Sequence, residues 1–203
     1  MSRANLATFS RVASAPGPDG TQGGSIHLRG TANSFIEIPN QAGSDLDTRT
    51  SITLLMHVFP VGNRGPILSF HEDGIGVQIW QEGLEDGKGI LTARFVWRDF
   101  SQPPALTKAV LTINAWNFIG ASYDHDSGIA RLWHNGNAVD AKFIGSKMEL
   151  ATHFSIRIGA ITSAGPGHCF QGRVRELHIF CESLGKEMVR TVGGISQEGN
   201  LIC

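Results

Sequence analysis

The chain has 203 residues, of which 25 are glycine and 8 are proline, and only 17% carry a charge, with a formal net charge of -1. An average globular protein is about 25% charged. The 41% hydrophobic content argues against disorder, and without an excess of basic residues there is no polybasic face for nucleic acid or anionic lipid. The longest apolar stretch, residues 54–59, is far shorter than the roughly 18 residues of a membrane span. We therefore expect one globular domain of β-sandwich size, or two small ones.

The segment 14–24 is dense in proline and glycine and cannot form a helix or a central strand. We therefore divide the chain into a leading segment, residues 1–23, and a domain, residues 24–203. A short helix is predicted within 183–192, where Ser183 can cap the first turn. Short apolar runs bounded by Gly, Asn or Asp predict about ten strands, which define an all-β sandwich or barrel: 25–28, 34–38, 51–59, 67–70, 76–81, 90–97, 116–123, 129–134, 154–158 and 173–180.

Three consecutive antiparallel strands are predicted: 116–123, 129–134 and a third that follows the turn at 135–136. The dipeptide Asn135-Gly136 follows the strand at 129–134 and suits a type I′ turn, whose two central residues need positive φ. The preceding loop, residues 124–128, is similar to the start of an EF-hand but lacks that loop's later ligands and its flanking helices. We interpret it as a hairpin turn.

Catalytic patterns are absent from the predicted strands. Glu37 and Glu176 each stand alone, whereas a glycosidase needs two carboxyl groups on one face. No G-x-S-x-G elbow occurs, and the histidines are scattered along the chain. We expect a protein that is not an enzyme; the alternative, a glycoside hydrolase or lyase of the same fold, predicts paired carboxylates on the concave sheet.

One strand carries the strongest binding pattern. Trp97 lies between Arg94 and Arg98, and a tryptophan on an outward face can stack on a sugar ring. The two arginines can form ion pairs with an anionic ligand. We predict a ligand site at Arg94, Trp97 and Arg98; the alternative is a core tryptophan flanked by solvated arginines.

All three cysteines lie in the last 35 residues, at Cys169, Cys181 and Cys203. Their clustering predicts one local disulfide, with the third thiol free or paired outside this chain. The alternative is three reduced thiols. No C-x2-C spacing points to zinc.

Several segments together resemble a known family. They are 34–38 (SFIEI), 51–60 (SITLLMHVFP), 66–70 (PILSF), 115–124 with 130–136 (AWNFIGASYD and ARLWHNG), and 170–180 (FQGRVRELHIF). In order and spacing they resemble the laminin G-like and pentraxin-like branch of the concanavalin A-type jelly rolls. The opening, SAPGPDGTQGGSIHLRGTANSFIEIPN, is similar to laminin G-like modules of invertebrate extracellular and shell matrix proteins of the Pif type.

The resemblance implies an antiparallel β-sandwich jelly roll in a secreted matrix protein. Its partners would be polysaccharide, protein or a calcium carbonate surface, with no nucleic acid and no membrane span. A cell-surface adhesion or receptor module is the alternative. The start of the chain lacks the apolar core of a signal peptide, so secretion requires this chain to be a piece of a longer protein.

The resemblance also implies two local features. Asp73, with Glu72 beside it, occupies a place where relatives bind calcium, although the second acidic cluster of that site is missing here. A solvated loop is the alternative, and the acidic loop at 82–86 is a weaker calcium candidate. Cys169 with Cys203 resembles the family's bridge to the C-terminal tail, and Cys181 is a rival partner for Cys169.

Overall fold

The computed structural model describes residues 6–62, 64–70, 76–161 and 168–195. Within these ranges the chain forms fourteen strands and one short helix, α1 (Lys186–Val192). The strands, in chain order, are β1 (Thr8–Ser10), β2 (Ala13–Ala15), β3 (Ser25–Arg29), β4 (Phe35–Ile38), β5 (Ile52–Pro60), β6 (Gly65–Phe70), β7 (Gln78–Glu85), β8 (Lys88–Arg94), β9 (Leu106–Leu111), β10 (Asn117–Tyr123), β11 (Ile129–His134), β12 (Asn137–Phe143), β13 (Ile156–Ile158) and β14 (Gln171–Phe180).

The strands form two seven-stranded antiparallel sheets that pack face to face. Sheet A has the order β1-β4-β13-β6-β7-β8-β9, and sheet B has the order β12-β11-β10-β5-β14-β3-β2. The predicted all-β antiparallel sandwich is therefore confirmed. No described helix is both long enough and apolar enough to cross a membrane.

Each of the ten predicted strands overlaps a strand of the structure, and there are four further strands, of which only β12, the third strand expected after the turn at 135–136, was predicted. Two of these, β1 and β2, lie in the leading segment and form one edge of each sheet. The other two, β9 and β12, form the opposite edges and carry many exposed residues. Edge strands bury little apolar surface, so their sequences show a weak alternation.

A large core lies between the sheets. It is built from the inward-facing residues of the central strands, such as Leu54 and Met56 of β5, which are 0% and 1% exposed. A second, smaller apolar cluster lies on the outer face of sheet B, where Leu55, Phe118 and Trp133 contact Val189 of α1. Helix α1 thus covers part of sheet B.

The predicted hairpin turns form. Asn135 and Gly136 have φ values of 46° and 73°, both positive as a type I′ turn requires. In the loop 124–128, Oδ1 of Asp124 accepts hydrogen bonds from the amides of Asp126 (3.0 Å) and Ser127 (2.8 Å). This carboxylate organises a turn.

The buried side-chain amide of Asn117 fixes the start of β10. Nδ2 of Asn117 donates to the carbonyls of Thr112 (2.9 Å) and Ala115 (2.8 Å), so Oδ1 is the acceptor on the other side. Nε2 of His134 lies 3.0 Å from that Oδ1 and must donate to it. Burial, together with the charge of Lys88, lowers the pKa of His134 to about 4.

We predict that His134 makes stability depend on pH. Its pKa is about 6.5 in the unfolded chain and about 4 in the folded chain, so its contribution is complete above pH 6.5. That contribution is lost as the pH falls from 6.5 to 4, by as much as ~3 kcal/mol. Urea unfolding at several pH values should show a smaller loss for His134→Gln, whose amide can still donate to Asn117. Equal losses in the variant and the wild type would contradict this assignment.

Candidate binding groove on the outer face of sheet A

The two-residue period of β7 and β8 sorts their side chains between the core and the surface. Ile79 and Ala93 are opposite each other and point into the core. The residues on either side of them therefore point outward. Gln78 is opposite Arg94, and Trp80 is opposite Thr92.

These outward residues form the floor of a groove with a volume of about 150 Å³. Nη1 of Arg94 donates a hydrogen bond of 2.7 Å to Oε1 of Gln102, which fixes the guanidinium across the groove. The hydroxyl of Thr92 lies 2.5 Å from that of Thr107 on the next strand. The lining residues are Gln78, Trp80, Glu82, Thr92, Arg94 and Gln102.

The groove combines a partly exposed indole with donors and acceptors of both kinds. Arg94 donates, Glu82 accepts, and the amides and hydroxyl do both, so the lining has no net charge. The indole Nε1–H of Trp80 is buried and has no acceptor in the part of the chain that the structure describes. A buried donor without a partner costs about 1–3 kcal/mol, so a ligand or a water that accepts from this N–H would be stabilised.

Of the three residues predicted to bind a ligand, Arg94 lines this groove and Trp97 does not. Trp97 is only 5% exposed and packs against Tyr123, with ring centroids 5.3 Å apart. Strand β8 ends at Arg94, whereas the predicted strand ends at residue 97. Strand alternation therefore does not determine which way the side chain of residue 97 points. The prediction of a stacking role for Trp97 is wrong, because its ring belongs to the core.

Arg98 is also held by structural contacts. Its Nη1 and Nη2 each donate to a different carboxylate oxygen of Asp47, both at 2.9 Å. The Asp47 side chain is 0% exposed and also accepts from Gly43 N and Thr152 Oγ1. Burial alone would raise the pKa of Asp47, but these hydrogen bonds and the charge of Arg98 lower it to about 2. Arg98 thus ties three loops together at one end of the sandwich.

The residues of the predicted calcium site are not among those that the structure describes. Glu72 and Asp73 lie outside the described residues. The weaker acidic candidate at 82–86 belongs to β7 and its hairpin turn to β8. Across the described ranges no three His, Cys, Asp or Glu side chains come together as a metal site.

The rival bridge between Cys169 and Cys181 is wrong, because both are free thiols in this structure. They lie at opposite ends of the ten-residue strand β14, which spans about 33 Å, whereas a disulfide needs Cα atoms within about 7 Å. Cys203 lies outside the described residues, so its bridge with Cys169 stays a prediction. Burial raises the pKa of the Cys169 thiol, which disfavours the nucleophilic thiolate.

Comparisons with known proteins agree with the fold. No protein-family model and no curated protein sequence matches the chain. Among solved structures, it is similar to the binding domain of botulinum neurotoxin serotype G (TM-score 0.70, 16% identity, 92% of this chain and 45% of that chain). It is also similar to the binding domain of Paraclostridial Mosquitocidal Protein 1 (TM-score 0.71, 17% identity, 93% and 47%) and to the receptor binding domain of botulinum neurotoxin D (TM-score 0.66, 15% identity, 93% and 47%).

The chain therefore spans less than half the length of these structures. At 15–17% identity the likeness establishes a β-sandwich fold and no more. The jelly-roll architecture expected from the sequence agrees with it.

We predict that Asp47→Ala destabilises the protein by about 3 kcal/mol, because it leaves Arg98, Gly43 and Thr152 without their shared acceptor. The control is Arg49→Ala, which breaks the nearby ion pair with Glu149, whose side chains are 52% and 45% exposed. That change should cost under about 1 kcal/mol. Denaturant unfolding measures both, and equal losses would show that the Asp47 contacts are not structural.

Proposed function

We propose that the chain is a non-enzymatic binding module whose groove on sheet A takes neutral sugar residues of a polysaccharide or glycoconjugate. The observation that carries this proposal is the partly exposed Trp80, set beside Arg94 and Glu82 in a lining without net charge. Sugar hydroxyls donate and accept hydrogen bonds, and the ring of a pyranose presents an apolar face. An aromatic ring surrounded by mixed donors and acceptors complements both properties.

The charge of the groove favours a neutral glycan over a polyanion or a mineral surface. Arg94 is balanced by Glu82, so a sulfated chain or calcium carbonate would gain little net attraction there. A role in matrix assembly by a laminin G-like module remains part of our proposal through polysaccharide binding. The protein would work outside the cell.

The distribution of carboxylates supports binding without hydrolysis. Among the described residues lining the groove, Glu82 alone carries a carboxylate. Glu37, which also lies on the outer face of sheet A, is paired with Nε of Arg157 at 2.5 Å. Strands β4 and β7 are three strand spacings apart, or about 14 Å, whereas glycosidase carboxyl groups lie within about 9.5 Å of each other.

The test is a screen of neutral oligosaccharides, such as oligomers of glucose, galactose and N-acetylglucosamine, followed by calorimetry on the best ligand. We expect Trp80→Ala and Arg94→Ala each to weaken binding at least about tenfold, since each removes a principal contact. Phe143→Ala is the control, because Phe143 is a 71% exposed aromatic residue on β12 of the other sheet. Its affinity should equal that of the wild type.

Salt distinguishes this proposal from its rivals. Affinity for a neutral glycan should change little between about 0.05 and 0.5 M NaCl, whereas binding to heparin or calcite would weaken strongly. Binding only to those anionic or mineral ligands, or full affinity in both groove variants, would overturn the proposal. Release of reducing sugar from the bound oligosaccharide would favour the glycoside hydrolase.

A further inference from the structure

A second groove lies on the opposite side of the molecule, on sheet B. It forms where β11 and β12 meet the connection between β14 and α1, and its volume is about 410 Å³. The lining residues that matter for binding come from four parts of the chain: Asp124, Arg131, Trp133, Ala138, Leu184 and Lys186.

The apolar part of this groove is held in place by hydrogen bonds within the protein. The indole N–H of Trp133 donates to Oγ of Ser122 at 2.9 Å, so the ring is oriented and its polar atom is satisfied. The amide of Leu184 donates to Oγ1 of Thr53 at 2.9 Å, and that hydroxyl donates to the carbonyl of Glu182 at 2.6 Å. The wall formed by the connection to α1 is therefore fixed against the sheet before any ligand arrives.

The charges of the groove are not balanced as they are on sheet A. Arg131 and Lys186 are contributed by separate elements, and neither has a carboxylate within 4.0 Å among the described residues. Asp124 is the only carboxylate in the described lining, and its Oδ1 is occupied by the amides of its own turn. Two cations against one engaged carboxylate give the groove a net positive charge.

We propose that this groove is a second binding site, which takes the carboxylate or sulfate ester of a small acidic sugar. Arg131 presents a planar fork that matches either oxyanion, and Lys186 adds a point charge. The oxyanion pairs with both cations, while the carbon skeleton of the ligand lies against the exposed Ala138, beside the buried Trp133 and Leu184, which are 2% and 7% exposed. The inference is independent of the neutral-glycan proposal, because it uses the other sheet and other residues.

The test follows the Trp133 indole and the backbone amides by NMR during titration with glucuronic acid, N-acetylglucosamine 6-sulfate and, as the uncharged reference, N-acetylglucosamine. We expect one or both acids to shift the signals of Arg131, Trp133 and Lys186, and the neutral sugar to leave them unchanged. A response to one acid alone identifies the oxyanion. Inorganic sulfate should bind at least about tenfold more weakly than the sulfated sugar, because it lacks the apolar contacts.

Paired variants separate the site from general electrostatics. Arg131→Gln with Lys186→Gln should weaken acid binding at least about tenfold. Arg29→Gln with Lys108→Gln removes the same total charge from two exposed residues outside the groove and should leave the affinity unchanged. Unaltered thermal stability in both double variants shows that folding is intact. The proposal is overturned if neither acid shifts Trp133, if the neutral sugar binds equally well, or if the two double variants lose affinity to the same extent.

Discussion

Strand β5 is buried on both of its faces, and the rest of the structure depends on the two apolar layers that cover it. Leu54 and Met56 point into the core between the sheets, whereas Leu55 points outward into the cluster under α1. A second covering layer on sheet B is possible only because α1 returns over its outer face. Sheet A has no such helix among the described residues, so its outer face can carry polar side chains. This asymmetry places the neutral groove on sheet A and the cationic groove at the margin of the helix on sheet B.

Charge acts locally in this molecule. The chain has a formal net charge of only -1, so no long-range field steers a ligand toward it. Within that near-neutral whole, arginines occupy three different environments: Arg98 is paired with Asp47 inside the fold, Arg94 is balanced by Glu82 in a groove, and Arg131 has no carboxylate partner among the described residues. Only the second and third environments leave the guanidinium open to a ligand. The ligand class proposed for each groove follows from that difference.

The sequence predicted the sandwich, ten of its strands and the Asn135-Gly136 turn, because alternation and turn chemistry are local properties. It failed for the polar edge strand β9, where alternation is weak, and it indicated β12 only through the Asn135-Gly136 turn before it. It also placed Trp97 and Arg98 wrongly in the ligand site. Tertiary contacts end β8 at Arg94, and they bring Arg98 to its partner Asp47, which is 51 residues away in the sequence. Of the groove on sheet A, Arg94 was identified, but Trp80 was not. Its alternation with the apolar Ile79 was visible in the sequence, yet which of the two faces the core is decided only when the sheets pack.

The central claim is that the groove on sheet A binds a neutral glycan. The most direct test records the NMR signals of the indole N–H groups of Trp80 and Trp133, one in each groove, while the protein is saturated with a neutral oligosaccharide. If the groove on sheet A binds sugar, the Nε1–H of Trp80 and the amides of β7 and β8 shift, while the Trp133 indole, bonded to Ser122 on the other sheet, stays in place. A saturated complex in which the Trp80 indole and the amides of β7 and β8 are unchanged would contradict the account.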